Sequence, residues 1–538
     1  MTRDIAQSAE ISVFHHALVG AAEEMGEVLK RSAFSPNIKE RQDYSCALFD
    51  AKGRLLAQAA HLPVHLGSMP SSVQAVIDHV DFEKEGDFAS VNDPYRGGTH
   101  LPDITMVAPI FAGTTSWFRN GRYSDRRGRR LIGYAANRAH HADIGGEAPG
   151  SMSPQLDLMA EGLVIPPTLY ERDGSICQDL QNLILANTRT PDERAGDLLA
   201  QLFACDRGLY RLLDIEKRLT TPRFVSLTDA LIAHSRALMR HSLAKIRPGV
   251  YRAEDVMDDD GAGATDIPIR LKLTVARKQL TFDFTGSSPQ VRGGINAVLA
   301  VTQSACYYAA LCFCDPVPPV NAGCFECVRV IAPEGTIVNA RRPAAVAGGN
   351  VETSQRIVDV CLSALSQAAG GRGCAQSQGT MNNVTIGGSG EKPFTYYETI
   401  AGGCGATREH AGASATHSHM TNTLNTPIEA LEHAYPLRVE VYALRDEAEG
   451  HASPQPPLGN RGGSGVIRRI RALVPCEFGL LTERRNHAPR GYNGASDGAV
   501  GENALIRGGI KQRLPPKCSG RLEAGDALEI ITPSGGSA

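Results

Sequence analysis

Apolar residues in this chain switch between a helical period and a strand period, without the regular strand–helix–strand rhythm that builds a doubly wound sheet or a barrel. That irregular alternation confines the chain to a mixed α+β architecture. Residues 8–31 repeat apolar side chains at Ile11, Phe14, Leu18, Met25, Val28 and Leu29, the stripe of one long amphipathic helix. Pro36 ends it, because the residue before a proline is pushed out of the helical region. Residues 44–59, YSCALFDAKGRLLAQA, set two apolar runs around a DAKG turn and predict a hairpin, with Gly53 free to take positive φ. A second helix is expected over 68–80, neighbouring strands over 104–111 and 130–139, a helical stretch over roughly 175–245, and strand alternation over 269–286.

A length of 538 residues implies several domains. We place boundaries near 220 and 395. They divide the chain into an N-terminal region of helices and short strands (1–220), a β-rich middle α/β region (221–395) and a C-terminal region (396–538) whose Gly, Pro and Asn content predicts many loops. A formal net charge of -3 advertises neither a nucleic-acid partner nor an acidic membrane surface. The start, MTRDIAQSAE, has no apolar core of a secretion signal. The run at 297–314 is broken by Thr302, Gln303 and Ser304, so it reads as a buried helix rather than a membrane span. Thirteen cysteines without a signal are expected to be reduced thiols in the cytoplasm. Cys306, Cys312, Cys314, Cys324 and Cys327 lack two well-spaced ligand pairs, which favours buried thiols over a zinc site. The basic segment 119–130 reads as a solvated loop.

The chain has no GxxxxGK[ST] phosphate loop, no GxGxxG between a strand and a helix, and no GxSxG elbow. What it has is imidazoles and carboxylates crowded at the edges of expected elements. NDPYRGGTHLPDITM carries His100 and Asp103 behind the Gly97-Gly98 pair, and NRAHHADIGG carries His140, His141 and Asp143. Glu40 and Asp43 precede the hairpin, and His61 and His65 precede the second helix. Element edges are where a rigid scaffold aims ligands into a shared cleft. Mixed imidazole and carboxylate donors suit Mn, Fe, Co or Zn. The alternative is that these acids cap turns and these histidines are satisfied core residues. Spacing alone leaves both readings open.

The stretches 32–70, 86–111 and 137–146, together with FDFTGSSPQVRGGIN, AAVAGGNVETSQRI and HMTNTLNTPIEALEHAYPLRVE, resemble the hydantoinase B family over nearly the whole chain. That family includes the second subunit of ATP-dependent N-methylhydantoinase, the C-terminal half of 5-oxoprolinase and a subunit of acetone carboxylase. The resemblance implies a hetero-oligomer with a hydantoinase A-type ATPase partner. The partner binds ATP and phosphorylates a carbonyl oxygen, and the B-type chain holds a divalent metal (Mn, Zn, Fe or Co). It implies Asp43, His100, Asp103 and His140 as ligands, with His65, His141 and Asp143 beside them for proton transfer or support. Some relatives carry an aromatic residue where His141 stands, so His141 ranks below His140 as a ligand.

The activity implied is hydrolysis of a small cyclic amide such as hydantoin, N-methylhydantoin or 5-oxoproline. Ketone carboxylation and a non-catalytic assembly role are the alternatives. Two departures from the family pattern, Cys404 in AGGCGA and the short ending TPSGGSA, bear on substrate contacts or subunit docking.

Overall fold

The computed structural model of the chain describes residues 2–59, 62–82, 86–112, 130–388, 392–447 and 459–538. Residues 119–129 of the basic segment, and His61, lie outside the described residues.

The N-terminal part is built on a seven-stranded sheet. Its strands are β1 (Tyr44–Asp50), β2 (Leu55–Gln58), β3 (Phe88–Val91), β4 (Asp103–Phe111), β5 (Leu131–His140), β6 (Thr168–Arg172) and β7 (Ser175–Ile176). They lie in the order β2-β1-β5-β4-β3-β6-β7, and each neighbouring pair is antiparallel. β1 and β4 are buried along their whole length because helices cover both faces. The helices Thr2–Ser32 and Pro191–Leu219 cover one face, where Phe14, Leu18, Met25 and Leu29 meet Cys46, Leu48, Ala135 and Leu212. The helix His65–His79 covers the other, where Met69, Val73 and Val76 meet Phe49, Val107 and Ala136. Burying one Leu or Phe side chain in such a layer contributes about 1.5–3 kcal/mol. Double-sided burial also explains why ITMVAPIF reads as a nearly continuous apolar run rather than an alternation.

The expected hairpin, the neighbouring strands and the helix near residue 297 are all present. The first helix begins earlier than its apolar stripe, at Thr2, and the second begins at His65, which it thereby buries. The helical stretch resolves into Gln178–Ala186, Pro191–Leu219 and Thr221–Leu243. Downstream, Gly249–Asp259, Thr265–Ala276, Gln279–Asp283 and Val328–Ile331 form a four-stranded sheet packed on Leu299–Cys312 and Ser354–Ala368. The last third carries long loops together with two antiparallel sheets. One of them has five strands, in the order Leu437–Leu444, Val466–Ala472, Ala527–Ile531, Glu502–Arg507, Ile510–Leu514. The cysteines are free thiols; Cys306, Cys314, Cys324 and Cys327 are buried as expected, whereas Cys312, at the end of its helix, is exposed.

The Gly97-Gly98 pair is a pinned turn rather than a loose hinge. Asp93 caps the short helical turn Pro94–Arg96 by accepting the Tyr95 N–H at 3.0 Å. Asn92 ties the turn down, donating to the carbonyls of Leu101 (2.8 Å) and Leu163 (2.9 Å) and accepting the Ile165 N–H (2.6 Å). Gly97 has φ 92, and a Cβ there would lie 2.6 Å from the Ser71 carbonyl oxygen. A Cβ on Gly98 would lie 2.4 Å from the Asn92 carbonyl oxygen. Only glycine fits, and the turn delivers His100 to the start of β4.

Gly97→Ala is therefore expected to lower the unfolding free energy by about 1–3 kcal/mol, measured by denaturant titration; a stability equal to wild type would contradict the account of this turn. A second prediction concerns Glu161, which accepts the N–H groups of Val346 and Ala347, both at 2.8 Å. Burial pushes its carboxyl up to about 8. Because the folded value lies above the unfolded one, the proton-linked stabilisation is complete below the ordinary glutamate value and is lost as pH rises through about 8. Glu161→Gln should flatten the fall in stability between about pH 4.5 and 8; an unaltered slope would show that Glu161 does not set it.

Candidate metal centre

Three strand ends meet at one edge of the N-terminal sheet. Asp103 opens β4 and His140 closes β5, and the two stand directly opposite each other in the antiparallel register. Residues paired across a ladder share a face, so their side chains point the same way. β1 continues the row: Tyr44 pairs with Ala139, and the His140 N–H donates to the Asp43 carbonyl at 3.0 Å. His100 arrives from the glycine turn, three residues before Asp103.

His100, Asp103 and His140 form the one group among the described residues in which three metal-ligating side chains converge, with donor atoms all within 4.8 Å of one another. His100 Nδ1 lies 3.3 Å from Asp103 Oδ2, and His140 Nδ1 lies 3.4 Å from Asp103 Oδ1. His100 Nε2 and His140 Nδ1 are 3.2 Å apart. All three residues are buried, at 1%, 1% and 2% exposure. Buried polar atoms are normally paired, yet His140 Nε2 has no hydrogen-bond partner among the described residues. Two imidazoles, a carboxylate and an orphaned ring nitrogen are a donor set that fits a divalent ion of the Mn, Fe, Co or Zn type.

The protonation states suit that purpose. Burial by itself raises the Asp103 carboxyl, but attraction to His100 and hydrogen bonds with His100, His140 and His65 hold it well below the usual carboxylate range. Burial lowers His140, and the hydrogen bond to Asp103 offsets this only in part, so the imidazole is neutral at neutral pH. A neutral imidazole and an ionised carboxylate are the forms that ligate.

The other expected residues are distributed as follows. His65 belongs to the cluster's surround: its Nε2 lies 3.3 Å from Asp103 Oδ2 and its Nδ1 2.7 Å from Ser45 Oγ. Asp43 stands beside His140, but its carboxylate is 3.5 Å from Arg41 Nη2 and is not one of the three converging groups. His141 stands just past the end of β5, and its ring is turned to the helix behind the sheet. Its Nε2 is 2.9 Å from Gln201 Oε1 of the helix Pro191–Leu219, and burial pushes it down to about 4. Asp143 is not brought to the cluster either; it accepts the Arg189 main-chain N–H at 2.7 Å and its guanidinium at 2.9 Å.

Several neighbours escape a reading of the sequence. Thr99 Oγ1 donates to Asp103 Oδ2 at 2.9 Å. Tyr397 stacks on the His140 ring at 4.6 Å with 16° between the planes, and its hydroxyl donates to Asn383 Oδ1 at 2.8 Å. Arg41 sits over the Tyr397 ring at 4.8 Å and donates to Thr399 Oγ1 at 2.8 Å. The local pattern around Tyr397 and Thr399 reads only as a strand. Their role comes from long-range packing of Phe394–Thr399 against the metal-site edge.

The chain was also compared with known proteins. The family description "Hydantoinase B/oxoprolinase" matches residues 7–537. The chain is 36% identical to 5-oxoprolinase 1 of Arabidopsis thaliana, over 100% of this chain and 42% of that protein, so it spans about two fifths of the plant enzyme. It is 29% identical to the B component of a putative D-/L-hydantoinase from a Pseudomonas strain, over 98% of this chain and 89% of that one. The crystal structure of the ATP-dependent caprolactamase from Pseudomonas jessenii superposes with a TM-score of 0.86 at 25% identity, covering 98% of this chain and 90% of that one. A match across residues 7–537, together with a fold shared with the caprolactamase over 98% of the chain, places this chain in the hydantoinase B/oxoprolinase family.

Proposed function

We propose that this chain is the ring-opening subunit of an ATP-dependent cyclic amide hydrolase, working at a divalent metal held by His100, Asp103 and His140. The observation that carries this reading is the cross-strand pairing of Asp103 with His140, joined by His100 from the glycine turn. Relatives named as a 5-oxoprolinase, a component of a hydantoinase and a caprolactamase support a cyclic amide as substrate. A hydantoinase A-type partner that binds ATP and phosphorylates the amide oxygen makes the carbonyl a better electrophile. A relative named as one component of a hydantoinase, and the lack of a phosphate-loop motif in this sequence, support that division of labour.

A divalent ion in such a site polarises a carbonyl and brings the pKa of water toward neutrality. The chain's own residues do the rest. Asp103 orients both ligand imidazoles, and Thr99 fixes the Asp103 carboxylate. Tyr397 and Arg41 lock the His140 ring from behind. His65 is the proton-carrying group: Ser45 orients it, and its second nitrogen meets Asp103. Asp43 is the fourth ligand once its carboxylate leaves Arg41. His141 and Asp143 anchor the end of β5 to the helix Pro191–Leu219 and to Arg189.

The test is ATP-dependent ring opening of hydantoin, 5-oxoproline and caprolactam by the chain reconstituted with its ATPase partner. The active complex should lose turnover on chelation and regain it with added divalent metal. His100→Ala should cut kcat by about 10³-fold or more. Unchanged turnover in that variant, or no opening of any cyclic amide, would refute the assignment. Elemental analysis gives a separate check: Asp103→Asn should purify with far less metal than wild type. Equal metal content in the two would remove Asp103 from the ligand set.

A further inference from the structure

The metal cluster is almost closed to solvent, so a substrate needs somewhere to be received and a way through. A cavity of about 680 Å³ lies beside a segment that reaches residues flanking the cluster. That volume is in the range of small-molecule sites. Tyr308, Phe313 and Leu362 give it an apolar side, and Ser377, Thr407 and Arg408 a polar one. The segment is residues 416–424, and it touches both this cavity and residues that flank the metal centre. On the cavity side His419 forms part of the lining. On the metal side the Met420 carbonyl accepts the Val64 N–H at 3.4 Å, next to His65, and the Leu424 N–H donates to the Arg41 carbonyl at 3.0 Å. Thr423 Oγ1 lies 2.9 Å from Thr399 Oγ1, which also accepts from Arg41.

His419 is an unusual residue to find at that place. Its φ of 57 lies in the left-handed region that non-glycine residues rarely adopt. Its side chain is 8% exposed, and among the described residues Nε2 has no hydrogen-bond partner, with Asp359 Oδ1 standing off at 3.7 Å. The other ring nitrogen is 3.5 Å from the Tyr308 hydroxyl. Backbone strain kept on a buried and incompletely bonded imidazole is the kind of feature that gathers at ligand clamps and switch segments.

We propose that this cavity receives the cyclic amide, that residues 416–424 are the gate between it and the metal centre, and that His419 is a positioning residue of that gate. The inference rests on the function proposed above. The ring lies on Tyr308 and Phe313, and its polar edge meets Thr407 and Arg408. The amide then faces the segment that must shift to let it pass. The receiving site does not itself need the metal.

Two variants test this in the full chain, His419→Gln in the gate and Cys374→Phe to fill the cavity, where Cys374 is part of the lining. The metal-stripped chain is titrated calorimetrically with 5-oxoproline and with caprolactam, and the complex with its ATPase partner is assayed on the same two probes. Saturable binding without metal is expected, weakened about tenfold in each variant, with KM raised by a similar factor. Metal content should equal wild type. Should Cys374→Phe fail to fold, His419→Gln alone decides. Binding that disappears when metal is removed overturns the inference, as do unchanged binding and KM in the folded variants, while ring opening by the wild type would leave the functional reading intact. A wild-type complex that opens neither probe, nor hydantoin, removes that reading and this inference with it.

Discussion

The register between β4 and β5 is the constraint on which the rest of the site depends. Asp103 and His140 face each other because the two strands pair without interruption from Asp103 to Ile110. A slip of one residue would turn His140 to the opposite face and present His141 instead. The two histidines are chemically alike, so register alone decides which one reaches Asp103. The helices on the two faces hold that register. Met69 and Val73 lie on one side and Met25 and Leu212 on the other, and a slip would exchange the side chains that each helix packs against, mispacking both faces at once.

Around the centre, buried charge is organised in pairs and triads. Arg138, one residue before Ala139 on β5, donates to Thr105, Ser68 and Ser72 and ties the sheet to the helix His65–His79 that carries His65. Arg194 pairs with Asp197, which in turn accepts the N–H groups of Phe34 and Ser35 and fixes the turn that follows the first helix. Farther along, Arg356 meets Glu483 at 3.0 Å, and Arg484 meets Asp255 at 2.9 Å and Asp359 at 2.6 Å. Such pairs contribute little net stability once desolvation is counted, but breaking one strands a buried charge. Their effect here is geometric. They join the middle sheet to the loops of the last third, and Asp359 is the acid beside His419.

Cys404 and the last glycines of the chain are neighbours. The Gly463 N–H donates to the Cys404 carbonyl at 2.8 Å and the Gly535 N–H to the Gly463 carbonyl at 2.9 Å, while a Cβ on Gly535 would lie 1.9 Å from the Cys404 carbonyl oxygen. The terminal glycines are thus woven against the segment that holds Cys404, and Gly405, the next residue, is part of the cavity wall.

Much of this is legible in the order of residues. The apolar periods give the long helix, the hairpin and the paired strands, because those patterns depend on neighbours three or four positions away, or two. The imidazole and carboxylate clusters are legible at the ends of those strands, but their spacing leaves a metal site and satisfied core residues equally open, and it is the family resemblance that singles out Asp43, His100, Asp103 and His140 as ligands. What the order of residues leaves open is which way a side chain faces and what reaches it from afar. His141 and Asp143 carry the same chemistry as their neighbours, yet Gln201 and Arg189 hold them away from the cluster. Tyr397, some 250 residues downstream of His140 in the chain, becomes the wall behind that ring only when the C-terminal strands close on the sheet edge. Facing is set by strand register and contact by long-range packing, and neither is a property of a local stretch of chain.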